Sequence, residues 1–237
     1  MNDIYNNDLY IKNSPNLHSE DSKFKFDQIK KILDKIEIFE NNLKLLDVGG
    51  GAGLLGKMVF DYFSNKGVNV EMHALDLSKE MLNTQKLNNP NIKKILNCKL
   101  EDCPNYNYDL VLMIDVIEHI PEKEIAANVL NRISKYIVYN IPVEINAFDL
   151  LRNIFNKFSY YSEQKRILGH VHFFTKKSVI NFLKKHHELI ESFFNPYCFL
   201  IKESQYEDYI KLRKSKFRKF ENIISCWISN NFKIISP

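Results

Sequence analysis

A glycine-rich turn between a strand-like run and a helical pattern is the feature that most limits the folds open to this chain. Residues 44–48 form a short apolar run, residues 49–53 read Gly-Gly-Gly-Ala-Gly, and apolar residues return at helical spacing over residues 54–64. Glycines let the backbone turn sharply and approach a ligand without a Cβ in the way. The amides that open the helix favour anionic or polar groups. The sequence therefore predicts a ligand-binding strand–turn–helix unit.

The rest of the chain repeats the alternation of strand and helix. Further strand-like runs lie at residues 68–75, 92–97, 109–114 and 135–141, and helical patterns at residues 22–39, 78–87, 122–133 and 176–187. Such alternation forms right-handed βαβ units with a parallel sheet covered on both faces. Runs at 189–194 and 197–202 predict a closing hairpin. We expect an α/β, Rossmann-like, seven-stranded mostly parallel sheet with a C-terminal antiparallel hairpin.

Three parts follow from this pattern. Residues 1–40 form an N-terminal helical segment that could close over a ligand as a lid, with His18 in it. Residues 41–203 form the ligand-binding domain, interrupted after the fifth strand by an aromatic-rich insertion at residues 143–175. Residues 204–237 are expected to form a basic C-terminal helical appendage.

The net charge of +4 is concentrated in this appendage, which has seven basic and three acidic residues. Because residues 1–203 are balanced, we expect no nucleic-acid partner. A solvated helix is the first interpretation of the appendage, weak contact with an anionic membrane surface the second, and nucleic-acid binding the third. The sequence does not indicate an oligomeric state.

The cellular compartment is predicted from three features that the sequence lacks. No apolar run reaches the roughly 18–20 residues of a membrane span. The polar N-terminus does not show a secretory signal pattern. The four cysteines show neither a CxxC pair nor metal-finger spacing. A cytoplasmic protein with reduced thiols is expected.

Two carboxylates sharpen the prediction for the glycine turn. Asp47 precedes the first glycine, where it can order the turn or reach an ammonium group, and Asp76 ends the next strand, where it can accept hydrogen bonds from ribose hydroxyls. Asp76 also has a purely structural interpretation as a helix cap before Ser78. Residues 51–56 match the GxGxxG pattern of dinucleotide-binding proteins as well. The turn and Asp76 therefore predict an adenosine-containing cofactor and leave its identity open.

Four motifs in order resemble those of class I S-adenosylmethionine-dependent methyltransferases. They are Leu-Leu-Asp-Val-Gly-Gly-Gly-Ala-Gly at 45–53, Ala-Leu-Asp-Leu-Ser at 74–78, Leu-Glu-Asp-Cys-Pro at 100–104 with Tyr-Asp-Leu-Val-Leu at 108–112, and Asp-Val-Ile-Glu-His-Ile-Pro at 115–121. Segments 18–23, 141–144 and 169–175 are similar to a bacterial group of these enzymes linked with polysaccharide and secondary-metabolite pathways. The resemblance covers about residues 43–203.

The resemblance implies S-adenosylmethionine as the cofactor and assigns its contacts. Asp47 and the glycines would cradle the methionine part, Asp76 would hold the ribose, and Leu77 would pack on the adenine. The stretch after the third strand would line the adenine pocket, and the end of the fourth strand would pass beneath the methionine part. The implied cofactor residues are Asp47, Gly49, Gly51, Gly53, Asp76, Leu77, Leu100, Glu101, Asp102, Met113, Ile114 and Asp115.

Candidate catalytic residues lie after the fourth strand and in the insertion. A hydroxyl acceptor must lose its proton, which suits a histidine or a carboxylate; the candidates are Glu118, His119, His170 and His172. In an extended segment His170 and His172 would point to opposite sides, so at most one would face the acceptor. The equally weighted alternative for Glu118 and His119 is helix capping and packing against the sheet.

Asp115, Glu118 and His119 with a later histidine also resemble the cluster that binds a divalent cation in ubiquinone-type and small-RNA 2′-O-methyltransferases. Since many enzymes with such a segment need no metal, we expect none here. The predicted function is methylation, at oxygen, of a small-molecule or glycan-type acceptor. The alternatives are an NAD(P)-dependent oxidoreductase and a methyltransferase-like protein that binds the cofactor without catalysis.

Overall fold

A computed structural model describes residues 19–38, 40–146, 149–150, 153–154, 156–194, 214, 219–220 and 223–224. Within these residues strands and helices alternate over most of the chain. The strands are β1 (Asn42–Val48), β2 (Asn69–Leu75), β3 (Ile92–Leu96), β4 (Tyr108–Ile114) and β5 (Ser134–Asn140). The helices are α1 (Ser22–Leu33), α2 (Leu54–Ser64), α3 (Lys79–Asn88), α4 (Lys123–Ile133), α5 (Tyr160–Leu168) and α6 (Lys176–His186).

The five strands form one parallel sheet in the order β3-β2-β1-β4-β5. The chain runs outward from β1 to β3 and then returns to the other side of β1 with β4. The strand order therefore reverses between β1 and β4, and the loops that follow these two strands lie side by side. In open parallel sheets, ligands bind in the crevice at this reversal, outside the carboxyl ends of the strands.

Both faces of the sheet are buried, each under its own layer of helices. Successive residues of β1 alternate between the layers: Leu45 packs with α1 and α2, whereas Leu46 packs with α4 and α6. Because β1 and β4 are central, they are apolar on both sides, and Leu110, Val111, Leu112 and Met113 of β4 are fully buried. This core holds the carboxyl edge of the sheet in place.

The α/β, Rossmann-like fold and the parallel sheet predicted from the sequence are confirmed. Residues 189–194, predicted as a strand, have no regular secondary structure, and residues 197–202, their predicted partner, lie outside the described residues. Since a strand is defined by its hydrogen-bonded partner, the hairpin and the seven-strand count stay predictions. His18 and most of residues 204–237 also lie outside the described part.

The helix predicted over residues 22–39 ends at Leu33. Beyond it, Ile36 and Ile38 still pack against the core without being helical, which is why the apolar pattern continues past the helix end. No helix in the described part of the chain is both long enough and apolar enough to cross a membrane.

Candidate functional site

The glycine turn after β1 depends on backbone conformations that favour glycine. Gly49, Gly51 and Gly53 have φ angles of 62°, 54° and 77°, in the left-handed region where a side chain is strained. A Cβ at Gly49 would lie 2.8 Å from Val116 Cγ2 on the loop after β4. The turn therefore packs directly against the neighbouring loop at the strand-order reversal.

Asp47 lies beneath this turn as a buried carboxylate. It is 2% exposed, and among the described residues its Oδ2 has no hydrogen-bond partner. A Cβ at Gly50 or Gly56 would collide with this oxygen, so both glycines keep space for the carboxylate. Burial, and to a lesser extent the charge of Asp76, raises the pKa of Asp47 to about 7. Such a group gains from a cationic partner.

Asp76 follows β2 at the same edge. Its Oδ1 accepts a hydrogen bond of 2.9 Å from the Ser78 amide, and its Oδ2 lies 3.5 Å from Gln85 Nε2 on α3. Burial raises the pKa of Asp76 to about 6, against the opposing effect of the Ser78 and Leu77 amides. Ser78 caps α3 by accepting from the Met81 amide. Asp76 itself is therefore not the cap of α3; one of its oxygens orders the turn that leads to the capping residue Ser78.

Other implied cofactor residues line the same edge with different exposure. Leu77 is an apolar side chain that is 38% exposed, as a residue that packs on a ligand would be. Leu100, Glu101 and Asp102 form a single 3-10 turn after β3, in which Leu100 is buried, Glu101 half-buried and Asp102 exposed. Met113 is fully buried in the core. Only the backbone of Met113 can therefore line a ligand site.

Asp115 directly follows β4, has a φ of 54° and connects three elements. Its Oδ1 accepts from Asn140 Nδ2 at the end of β5, and its Oδ2 accepts from Lys25 Nζ on α1. Lys25 also lies 2.7 Å from Asp21 Oδ2. Burial lowers the pKa of Lys25, but the carboxylates of Asp115 and Asp21 outweigh it and raise the pKa above its ordinary value. The N-terminal helix is thus tied to the candidate site.

Glu118 and His119 lie on a 3-10 turn just beyond Asp115. Glu118 is completely buried, and neither of its carboxylate oxygens has a hydrogen-bond partner among the described residues. Burial, followed by the negative charge of Asp115, raises its pKa well above the usual range. His119 Nε2 lies 4.0 Å from Glu118 Oε1. This turn therefore places a buried carboxyl beside an imidazole.

The insertion contributes His170 to the same cluster. The Val171 and His172 amides donate to the Glu118 carbonyl at 2.9 and 3.1 Å, which fixes the segment against the turn. The His170 ring lies 4.7 Å from the His119 ring, and His170 Nδ1 lies 2.9 Å from the Glu144 carboxylate. His172 instead directs Nε2 to the carbonyls of Ile120 and Pro121. The expectation that the two insertion histidines diverge is met, and His170 lies beside His119.

Two residues in this arrangement were missed from the sequence. Lys25 lies one helical turn before Ile29, on the buried face of α1, and a lysine at an apolar position was the signal for a buried ion pair. Glu144 follows β5 at the carboxyl edge, where side chains of neighbouring loops converge. Neither contact could be assigned without the tertiary structure.

Comparisons with known proteins agree with this geometry. Residues 46–138 match the family model described as a methyltransferase domain. None of the curated proteins matches this chain. A candidate methyltransferase from Bacillus halodurans shares 18% identity over 83% of this chain and 82% of its own, with a TM-score of 0.53. The YcgJ protein of Bacillus subtilis shares 17% identity over 83% of this chain and 81% of its own, with a TM-score of 0.52. At such identities the two structures support the fold alone.

Proposed function

We propose that this chain, whose residues 46–138 form a methyltransferase domain of the class I S-adenosylmethionine-dependent family, methylates an oxygen atom of a small-molecule or glycan-type acceptor. S-adenosylmethionine is the cofactor of this domain, and the match does not favour the NAD(P)-dependent alternative. The observation that carries the proposal is the cluster of Glu118, His119 and His170 beside the glycine turn, at the carboxyl edge of the sheet. An acceptor hydroxyl needs such groups to lose its proton.

The residues at the edge fit this cofactor. The Asp47 oxygen without a hydrogen-bond partner is buried beneath the turn and suits a ligand that carries an ammonium group. The exposed Leu77 offers an apolar surface for a base, next to Asp76. When bound, the cofactor supplies a methyl group on a positively charged sulfur. We assign the methionine part to Asp47, Gly49, Gly51 and Gly53, with Ile114 and Asp115 beneath it.

The adenosine part is assigned to the neighbouring strand ends. Asp76 would hold the ribose hydroxyls with the carboxylate oxygen that is not engaged by Ser78. Leu77 would pack on the adenine, and Leu100 with Glu101 or Asp102 would line its pocket. These residues come from the loops after β2 and β3, on one side of the point where the strand order reverses. In doubly wound folds the nucleoside binds on this side.

Catalysis in this proposal consists of alignment, exclusion of water and removal of one proton. The cofactor would supply its methyl group to the acceptor oxygen, and the cluster of Glu118, His119 and His170 would take up the hydroxyl proton or pass it to solvent. The insertion supports exclusion of water, because its backbone is hydrogen-bonded to the Glu118 carbonyl beside the site. Burial of Glu118 suits a role inside the cluster and not on the surface.

We also propose four features of the molecule outside the candidate site. They are a closing antiparallel hairpin that completes seven strands, an N-terminal segment that acts as a lid, a cytoplasmic bacterial setting, and weak membrane-surface contact through the basic appendage. The contact of Lys25 with Asp115 supports a lid, since it anchors α1 at the edge where the ligand would enter.

The proposal is tested by comparing His119→Gln, His170→Gln and His172→Gln. Release of S-adenosylhomocysteine is measured with a panel of phenols, monosaccharides and nucleotide sugars. The first two variants should lower turnover by about 10²-fold or more, as for loss of a group that activates the hydroxyl. His172→Gln is the matched control, because its ring contacts backbone carbonyls. Full activity of His119→Gln and His170→Gln would contradict the assignment of the cluster.

A further inference from the structure

Gln85 is a polar side chain on the buried face of α3. It is 0% exposed, and it follows Met81 and Leu82 at the helical spacing of a residue that packs on the core. Its Oε1 has no hydrogen-bond partner among the described residues. An amide oxygen buried in this way destabilises the fold, and an apolar side chain of the same length would avoid the cost. Packing alone therefore does not account for a glutamine at this position.

The glycine turn after β1 lies directly on Gln85. Gly53 has a φ of 77°, and a Cβ at this residue would stand 2.9 Å from Gln85 Cα and 3.1 Å from Gln85 Cβ. Three residues further along α3, Asn88 Nδ2 donates to the Ala52 carbonyl at 2.8 Å. Helix α3 is therefore fastened to the turn, and Gln85 lies at the contact between them.

The side-chain amide of Gln85 also reaches the carboxylate of Asp76. Gln85 Nε2 donates to Asp76 Oδ2 at 3.5 Å, a long hydrogen bond, whereas the Ser78 amide donates to Asp76 Oδ1 at 2.9 Å. Asp76 Oδ2 is the oxygen that we assign to the ribose hydroxyls. A carboxylate oxygen can accept two hydrogen bonds, so Oδ2 can accept from Gln85 and from a hydroxyl together. Gln85 thus restrains this oxygen and leaves it available to a ligand.

We infer that Gln85 is a positioning residue of the cofactor site, which directs Asp76 Oδ2 toward the ribose hydroxyls. The inference rests on the proposed function, because it takes Asp76 as the residue that holds the ribose. Gln85 acts through Asp76 and not on the ligand, since its side chain is completely buried. A carboxylate that is already oriented loses less freedom when the cofactor binds, and this increases the affinity.

The variant Gln85→Met separates positioning from packing. Methionine is close to glutamine in length and in helix propensity, and it has no hydrogen-bond donor. Because the buried amide oxygen is removed, the melting temperature should stay the same or rise. Because the donor to Asp76 is lost, the affinity for S-adenosylhomocysteine should fall about 5–10-fold. A purely structural glutamine would give the opposite result, a lower melting temperature with unchanged affinity.

The test is calorimetric titration of the full-length protein with S-adenosylhomocysteine, together with thermal unfolding of each variant. Gln28→Met is the matched control. Gln28 is a partly exposed glutamine on α1 whose Oε1 accepts from Lys31 Nζ at 3.2 Å, so its substitution should leave the affinity unchanged. If Gln85→Met does not fold, Gln85→Leu, which also lacks the donor, is measured in its place.

The double variant Asp76→Asn/Gln85→Met shows whether Gln85 acts through Asp76. If it does, the addition of Gln85→Met to Asp76→Asn should weaken binding by no more than about twofold, since the effects of residues that act through one contact do not add. Losses of affinity that multiply in the double variant would overturn the inference. Unchanged affinity of Gln85→Met would overturn it as well.

Failure of the inference and failure of the proposed function give different results. A wild type that binds S-adenosylhomocysteine, with a Gln85→Met variant that binds it equally well, contradicts the positioning role alone. A wild type that does not bind S-adenosylhomocysteine contradicts the proposed cofactor site, and the inference that rests on this site is then overturned too.

Discussion

At the scale of single residues, substitution can separate the structural role of Asp76 from the ligand-binding role that we propose for it. In Asp76→Asn the side-chain carbonyl can still accept from the Ser78 amide, but the negative charge is lost. We expect the affinity for S-adenosylhomocysteine to fall at least tenfold, since hydrogen bonds to a charged group are worth about 1.5–3 kcal/mol. Calorimetry measures the affinity, and the melting temperature should change little.

The control for this prediction is Asp61→Asn. Asp61 is a partly exposed carboxylate in the last turn of α2 that pairs with Lys57 at 2.6 Å, and it is not on a loop at the carboxyl end of a strand. Its substitution should not affect the affinity. An Asp76→Asn variant that binds S-adenosylhomocysteine within threefold of the wild type would mean that Asp76 only orders the turn before α3.

Asp47 gives a prediction for the pH dependence of stability. Folding raises its pKa from 3.8 to about 7, so the folded chain holds the proton more tightly than the unfolded chain does. The stabilising contribution of that proton is therefore present at low pH and is lost as the pH rises from about 4 to about 7. The Asp47→Asn variant has no proton to lose at this position, so its stability does not fall in this way. We therefore compare the free energy of unfolding of the variant with that of the wild type, both without ligand. The variant's advantage should be roughly 2–3 kcal/mol larger at pH 8 than at pH 5.

Denaturant unfolding at the two pH values measures this gain, and the same variant should bind S-adenosylhomocysteine more weakly. Asp61→Asn should show no comparable dependence on pH. A gain for Asp47→Asn that is equal at pH 5 and pH 8 would contradict the assignment of a buried, charge-bearing carboxyl beneath the glycine turn.

The sequence predicts residues at this scale where they follow a strand within a recognisable motif. Asp47, Asp76 and His119 fall into that class, because a strand end is a local property of the chain. Glu144 and Lys25 were not predicted, because their partners, His170 and Asp115, are 26 and 90 residues away. Such pairs depend on how elements pack, which no local pattern records.

At the scale of elements, the attachment of α1 to the sheet edge can be tested through Lys25. Lys25→Met removes the lysine that pairs with the buried carboxylate of Asp21 and the partly buried carboxylate of Asp115. Breaking a buried pair costs about 3–5 kcal/mol, and partial exposure lowers this to about 2 kcal/mol. We expect the melting temperature to fall by roughly 4–8 °C for a chain of this size.

Lys23→Met is the matched control on the same helix. Lys23 pairs with Asp27 on the surface, where the two side chains are 70% and 48% exposed, so its substitution should have almost no effect. Equal melting temperatures for Lys25→Met and Lys23→Met would show that the contact with Asp115 does not hold α1 in place.

Element boundaries were predictable to within about two residues wherever a turn signal ends the apolar pattern. The glycine turn ends β1 at Val48, and Ser78 starts α3. The predicted end of a helix was wrong where no turn signal ends the apolar pattern. The pattern continued to residue 39, whereas α1 ends at Leu33, because Ile36 and Ile38 pack on the core as part of the connection to β1.

At the scale of the whole molecule, alternation of strands and helices predicts a parallel sheet but not the order of its strands. The observed order reverses at β1, and right-handed crossovers on the two sides of β1 place helices on both faces of the sheet. It places the loops after β1 and β4 in contact, through Gly49 and Val116. The pairing of β1 with β4 places Asp47 beside Leu112, although the two residues are far apart in the sequence.

The central claim is that this edge binds S-adenosylmethionine and not a nicotinamide cofactor. Calorimetric titration of the wild type with S-adenosylhomocysteine, and in parallel with NADH, tests it most directly. We predict saturable one-to-one binding of S-adenosylhomocysteine with a dissociation constant on the order of micromolar, about −8 kcal/mol, and no binding heat with NADH. Binding of NADH in its place, or no saturable binding of S-adenosylhomocysteine, would contradict the account.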